Sequence, residues 1–190
     1  PRGFDNAPTV QADAIGTGYG VFVGSNDDYI DVGTIAIAEG DVSICCWIKA
    51  DSFVDDAGIV TNRDTGGDGE GIELRTKSSG TTVEMFIDEG TTTTQATASS
   101  ALNVGQWYHI AGVWDRSGSQ YLYVDGILAN SDPITDEADT LAHSTSVKIG
   151  ASASTTVGFD GNIKNVGYWS AVLTQAQIQS IMEKTYSELI

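Results

Sequence analysis

Acidic side chains set most of the chemistry open to this chain. The stretch Asp68-Gly69-Glu70-Gly71-Ile72-Glu73 spaces carboxylates along a loop and the start of a strand. Two carboxylates on one strand face can stand about 5–5.5 Å apart, the separation used to hydrolyse a glycosidic bond with retention. The glycines among them make a soft frame for such a pair. Nucleophilic chemistry finds less support. His109 lies in an apolar strand and His143 is isolated, and no serine stands with a His and an Asp in a recognisable nucleophile motif. Cys45 and Cys46 are adjacent, so on a strand they point to opposite faces and are poorly placed to bridge. No His or Cys elsewhere completes a zinc pattern, and both cysteines read as small buried fillers.

The charge balance narrows the partners. There are 26 acidic residues against 9 basic ones, a net charge of -17. Such a field repels nucleic acid phosphates and anionic membranes, and it favours cations or a solvated acidic surface. No run approaches the apolar length of a membrane span. The chain begins at Pro1, which leaves both methionine removal and trimming from a longer protein open.

The elements that must position these residues are strands. Gly is abundant and Pro scarce, at 22 and 3 residues, which suits many short strands joined by tight turns. Val42 to Ala50 is the strongest strand, with Val42, Ile44, Cys46 and Ile48 on one face. Ile72–Thr76 and Val83–Ile87 read as a hairpin about Ser78-Ser79-Gly80. Trp107–Trp114 and Gln120–Val124 read as another, turned at Asp115-Arg116-Ser117-Gly118. Thr91 to Ser100 suits an exposed strand as well as a loop. Only the C-terminus changes period: Ile178, Ile181 and Met182 fall at helical spacing after a Thr174 cap. Residues 1–20 read as an extended arm, and 21–190 as one domain without repeat or linker.

Several segments resemble the laminin-G-like family in order and spacing. Val21-Phe22-Val23-Gly24-Ser25-Asn26-Asp27-Asp28-Tyr29-Ile30-Asp31-Val32 resembles its opening strand and turn, and Val42 to Lys49 its "fTisaWvk" strand. Gly105-Gln106-Trp107-Tyr108-His109-Ile110-Ala111 is similar to its "WhHvA" element, and Tyr121-Leu122-Tyr123-Val124-Asp125-Gly126 to its "lYvDG" turn. Phe159 to Trp169 and Ser170 to Thr174 match its closing strand and the start of its helix. The resemblance spans about Val21 to Ile181. It implies an all-β, two-sheet antiparallel jelly-roll sandwich of the concanavalin A-like kind, with a short C-terminal helix.

Function follows from the resemblance only as expectation, since one fold hosts many roles. It implies calcium (Ca2+), held by hard oxygens on a bent loop, with Asp27, Asp28 and Asp160 as ligands and Asp64 and Asp68 as weaker candidates. It implies glycan binding, for which exposed aromatic rings are needed. Trp47 and Trp107 sit in core elements of the family, which leaves Trp114, Tyr121 and Tyr123 as the binding aromatics. Glycoside hydrolases share the sandwich, but the order of acids around Glu70 and Glu73 departs from their strand motif, so a non-catalytic role is expected. The chain is thus expected to be a lectin-like, glycan-binding or adhesion module displayed outside the cell or on a surface, with calcium involved. The alternative is a decoration or attachment domain of a virion or cell-surface assembly. Glycan or a surface protein is the expected partner, with neither nucleic acid nor membrane insertion.

Overall fold

The computed structural model describes residues 9–12, 18–26, 28–35, 40–63, 69–79, 81–88, 90, 92–134 and 145–184. Thirteen strands and one helix make up the described chain. The first strands are β1 (Thr9–Ala12), β2 (Gly18–Phe22), β3 (Ile30–Thr34) and β4 (Val42–Ala50). Next come β5 (Ala57–Arg63), β6 (Gly71–Lys77), β7 (Thr82–Asp88) and β8 (Thr93–Thr97). The last are β9 (Tyr108–Trp114), β10 (Ser119–Val124), β11 (Ile127–Pro133), β12 (Ser146–Ile149) and β13 (Gly161–Trp169), followed by α1 (Gln175–Met182).

They pair antiparallel into two sheets. One orders β1-β2-β13-β4-β9-β10-β11, the other β3-β12-β5-β6-β7-β8. This is the sandwich the sequence implied. The core lies between the sheets, where Ile44, Cys46 and Ile48 of β4 meet Ile72 and Leu74 of β6 and Met85 and Ile87 of β7. Period-two alternation places every second residue of these strands there. Cys45 points the other way, into a smaller cluster with Ala111, Val113, Tyr123, Leu173 and Ile178. Both thiols are buried and free, and burial pushes their pKa up, that of Cys45 to about 12.

The smaller cluster exists because α1 packs on the outside of the seven-stranded sheet. Thr174 caps this helix, its side chain accepting from the Gln177 amide while the Gln177 side chain accepts from Thr174. That reciprocal pair satisfies two donors a helix start otherwise leaves open. The reading of residues 1–20 as an extended arm is corrected for the part that is described. Thr9–Ala12 pairs with Gly18–Val21 as an edge strand of the larger sheet. Its short alternation carried too little signal to separate a strand from an extended lead.

Candidate functional site

The acids implied as calcium ligands meet in part. Asp28 is buried, and its Oδ2 accepts from the Val23 amide at 3.0 Å. Asp160 accepts from the Gly24 amide at 3.5 Å and from the Ser52 hydroxyl at 2.8 Å. Early loop and late strand therefore converge, but on hydrogen-bond donors. Asp27, Asp64, Asp68 and His143 lie outside the described residues. Calcium takes about six to eight oxygens. Among the described residues no three acidic, His or Cys side chains gather as a metal group, so these donors alone do not fit that shell.

The aromatic residues chosen from sequence are placed differently from expectation. Trp114 is fully buried between the sheets, so its ring has no face for a sugar. Tyr123 is buried and Tyr121 half-buried, both in the cluster that α1 covers. Packing in that cluster takes up the Tyr123 ring, while Tyr121 keeps part of its surface exposed.

The aromatic platform lies at the other end of the same outer face. Lys164, Trp47 and His109 stand directly opposite one another across β13, β4 and β9. Trp107, half-buried just before β9, meets Tyr19 edge-to-face with ring centroids 5.8 Å apart. The ammonium groups of Lys49 and Lys164 lie 5.8 Å and 4.7 Å from the Trp107 ring centroid. Two of only nine basic residues in the chain thus meet at one indole. Aromatic faces attract cations, and an ammonium group is a hydrogen-bond donor. Strand alternation put Trp47, His109 and Trp107 on the face opposite Ile48, Tyr108 and Ile110. That parity was the available signal, overridden by the family's assignment of both tryptophans to the core.

His109 is 2% exposed and edge-on to Trp47, with its Nδ1 unpartnered. Burial pushes its pKa down to about 4. A histidine depressed this way favours the fold fully above its ordinary pKa of 6.5, and that contribution is lost as pH falls toward 4. His109→Phe is therefore expected to flatten the stability profile between pH 6.5 and 4, measured by urea titration at each pH. An unchanged slope would mean the imidazole titrates normally.

A second concavity opens on the outside of the six-stranded sheet. It is a cleft of about 330 Å³ lined by Asp56, Arg63, Gly69, Glu73, Arg75, Ser152, Ala153, Ser154 and Val157. Its floor is β5 and β6; its wall is the turn from Ser152 to Val157, closed by the Ser152 amide bonding the Val157 carbonyl at 3.0 Å. Gly58 lets this turn lie flat on β5, because a Cβ there would stand 2.1 Å from the Ala151 carbonyl oxygen. On the floor, Arg75 donates twice to one Glu84 oxygen at 2.9 and 2.5 Å, and lies 3.2 Å from Asp56. Arg63 binds Asp88 at 2.7 Å and the Gly69 carbonyl at 2.8 Å. Both guanidinium groups also pack on Phe86, 4.8 and 4.3 Å from its ring centroid.

Glu73 stands apart in this network. It is 2% exposed, and among the described residues its Oε1 has no hydrogen-bond partner, although the Ala153 backbone amide acts on the carboxyl as a donor. Its Oε2 is 3.8 Å from Arg75 Nη1, beyond hydrogen-bond reach. Burial pushes its pKa up to about 7, against the pull of Arg75 and Arg63. Glu70, the other acid weighed for hydrolysis, is half-buried ahead of β6 and does not line the cleft.

Comparison with known proteins agrees with this architecture. No curated protein sequence matches the chain. Among solved structures, domain 4 of AbnA, a GH43 extracellular arabinanase from Geobacillus stearothermophilus solved with arabinotriose, superposes with a TM-score of 0.69. It is 15% identical, over 92% of this chain and 81% of that one. The heptameric SAP-like pentraxin of Limulus polyphemus gives 0.63 at 17% identity, over 80% and 74%. The ligand-binding domain of botulinum neurotoxin serotype D, solved with N-acetylneuraminic acid, gives 0.70 at 18%, over 96% of this chain but 45% of that one. At these identities the likeness is one of fold. The laminin-G model of the concanavalin A-like lectin/glucanases superfamily matches residues 24–179, and the chain belongs to that superfamily.

Proposed function

We propose that this domain is a non-catalytic glycan-binding module acting outside the cell or on a surface, and that it meets its glycan at the Trp107 platform. The observation that carries this reading is a half-buried indole on a sheet face, flanked by Tyr19 and two lysines and lying beyond the cluster under α1. A sugar ring lays its apolar face on such a surface, and its polar edge takes hydrogen bonds from the ammonium groups. Support also comes from structural neighbours solved with arabinotriose and with N-acetylneuraminic acid.

A glycan array tests the reading. Wild type should give saturable hits, and Trp107→Ala should lose them by about tenfold or more in affinity while melting as a folded protein, since truncating a binding aromatic removes a large contact. Binding should persist in chelator; its loss there would return Asp27, Asp28 and Asp160 to the site as metal ligands. Ile127 and Leu128, exposed on the edge strand β11, favour the attachment-domain alternative. An array without hits would move the reading there.

A further inference from the structure

We propose that the cleft over Glu73 is a second binding site, on the opposite sheet from Trp107, and that it takes a neutral polyol through a pair of adjacent hydroxyls. The choice of a sugar-like ligand rests on the glycan-binding reading; the existence of the site does not.

One buried acceptor beside the cleft has no hydrogen-bond partner among the described residues. A buried polar atom without a partner is rare in folded proteins and calls for a cause. Glu73 Oε1 is such an atom, and the residue that carries it lines an open cleft rather than a closed core. Next to it, Arg75 directs Nε and Nη2 to Glu84, while Nη1 stops 3.8 Å short of Glu73 Oε2. An acceptor-bearing and a donor-bearing side chain therefore line the same space. A vicinal diol supplies the complement, one hydroxyl donating to Oε1 while the oxygen of the other accepts from Nη1.

Charge decides against the other ligand classes. Among the described residues, the charged groups facing Glu73 and its neighbours are Arg63 and Arg75 against Asp56, Glu84 and Asp88. Each guanidinium already has a carboxylate partner, so an anion finds no uncompensated positive charge. A cation seated on Glu73 would stand beside the Arg75 guanidinium. A neutral ligand meets neither penalty. The space, about 330 Å³, is large enough to admit a small polyol. Phe86 and Glu84 hold Arg75 in place before any ligand arrives, so binding need not order it.

The test is a nuclear magnetic resonance titration of the full chain with methyl α-D-mannopyranoside, which has adjacent hydroxyls, and with 1,4-butanediol, which has none. Saturable shifts at the amides of Glu73, Arg75 and Ala153 are expected with the mannoside alone. Glu73→Gln, nearly isosteric and free of a buried charge, should weaken the mannoside by about tenfold, the difference between a charged and a neutral acceptor. Trp107→Ala should leave these shifts intact. Absence of saturable shifts in the wild type, equal response to butanediol, or indifference to Glu73→Gln would each overturn the proposal. Because the two sites are read by different variants, failure on the array leaves this titration interpretable, and the reverse also holds.

Discussion

Trp114→Ala is expected to destabilise the fold by about 3–5 kcal/mol, the range for emptying a large aromatic from a packed interior. The indole is fully buried among residues of both sheets. It lies over Gly112, where an added Cβ would come within 2.9 Å of the ring. For a chain of this size the loss corresponds to a fall in melting temperature of roughly 6–20 °C. The folded fraction should bind the same glycans as wild type. Chemical denaturation with a parallel binding curve checks both points. A weak effect on stability together with lost binding would restore Trp114 to the ligand site, where sequence had placed it.

That misplacement has a physical source. β9 alternates Tyr108, Ile110, Gly112 and Trp114 toward the core with His109, Ala111 and Val113 outward. In an ordinary surface strand the outward set would be polar and the parity obvious. Here α1 covers the outer face at Ala111 and Val113, so both sets are apolar and the pattern loses contrast. The strands themselves were legible because turn residues punctuate them: the β6–β7 and β9–β10 hairpins fall where Gly and Ser clusters implied. The helix start was legible from Thr174 and Gln177, which are local to one another.

The cleft was not legible, because it depends on contacts distant in sequence. The acids of β6 and β7 could be assigned to the outer face from their alternation with Ile72, Leu74, Met85 and Ile87. Nothing local says that the turn from Ser152 to Val157 will settle on β5 beside Gly58 and turn an exposed glutamate into a buried one. Asp160 is a similar case. Its acidity suggested a metal, whereas its partners, the Ser52 hydroxyl and the Gly24 amide, became apparent only in the folded chain.

Glu73→Gln is expected to flatten the pH dependence of stability. Burial raises the carboxyl from 4.5 to about 7, meaning that the fold prefers it protonated. An acid raised in the folded state favours folding fully below its unfolded pKa, and that advantage is lost as pH climbs through the folded value. The loss therefore falls between pH 4.5 and 7, and amounts to about 3 kcal/mol. Glutamine has no proton to lose, so the variant should hold its stability across this window and exceed wild type above pH 7. Arg75 and Arg63 keep Glu84, Asp56 and Asp88 as partners, so the substitution strands no cation. Urea titrations from pH 4 to 8 decide the matter. Parallel profiles for variant and wild type would mean that Glu73 ionises as freely in the fold as in water. The charged form above pH 7 is also the stronger hydrogen-bond acceptor, so a carboxylate that costs the fold stability is the form best suited to hold a hydroxyl ligand. A bound polyol should correspondingly pull the Glu73 pKa down, giving back part of what its ionisation takes from the fold.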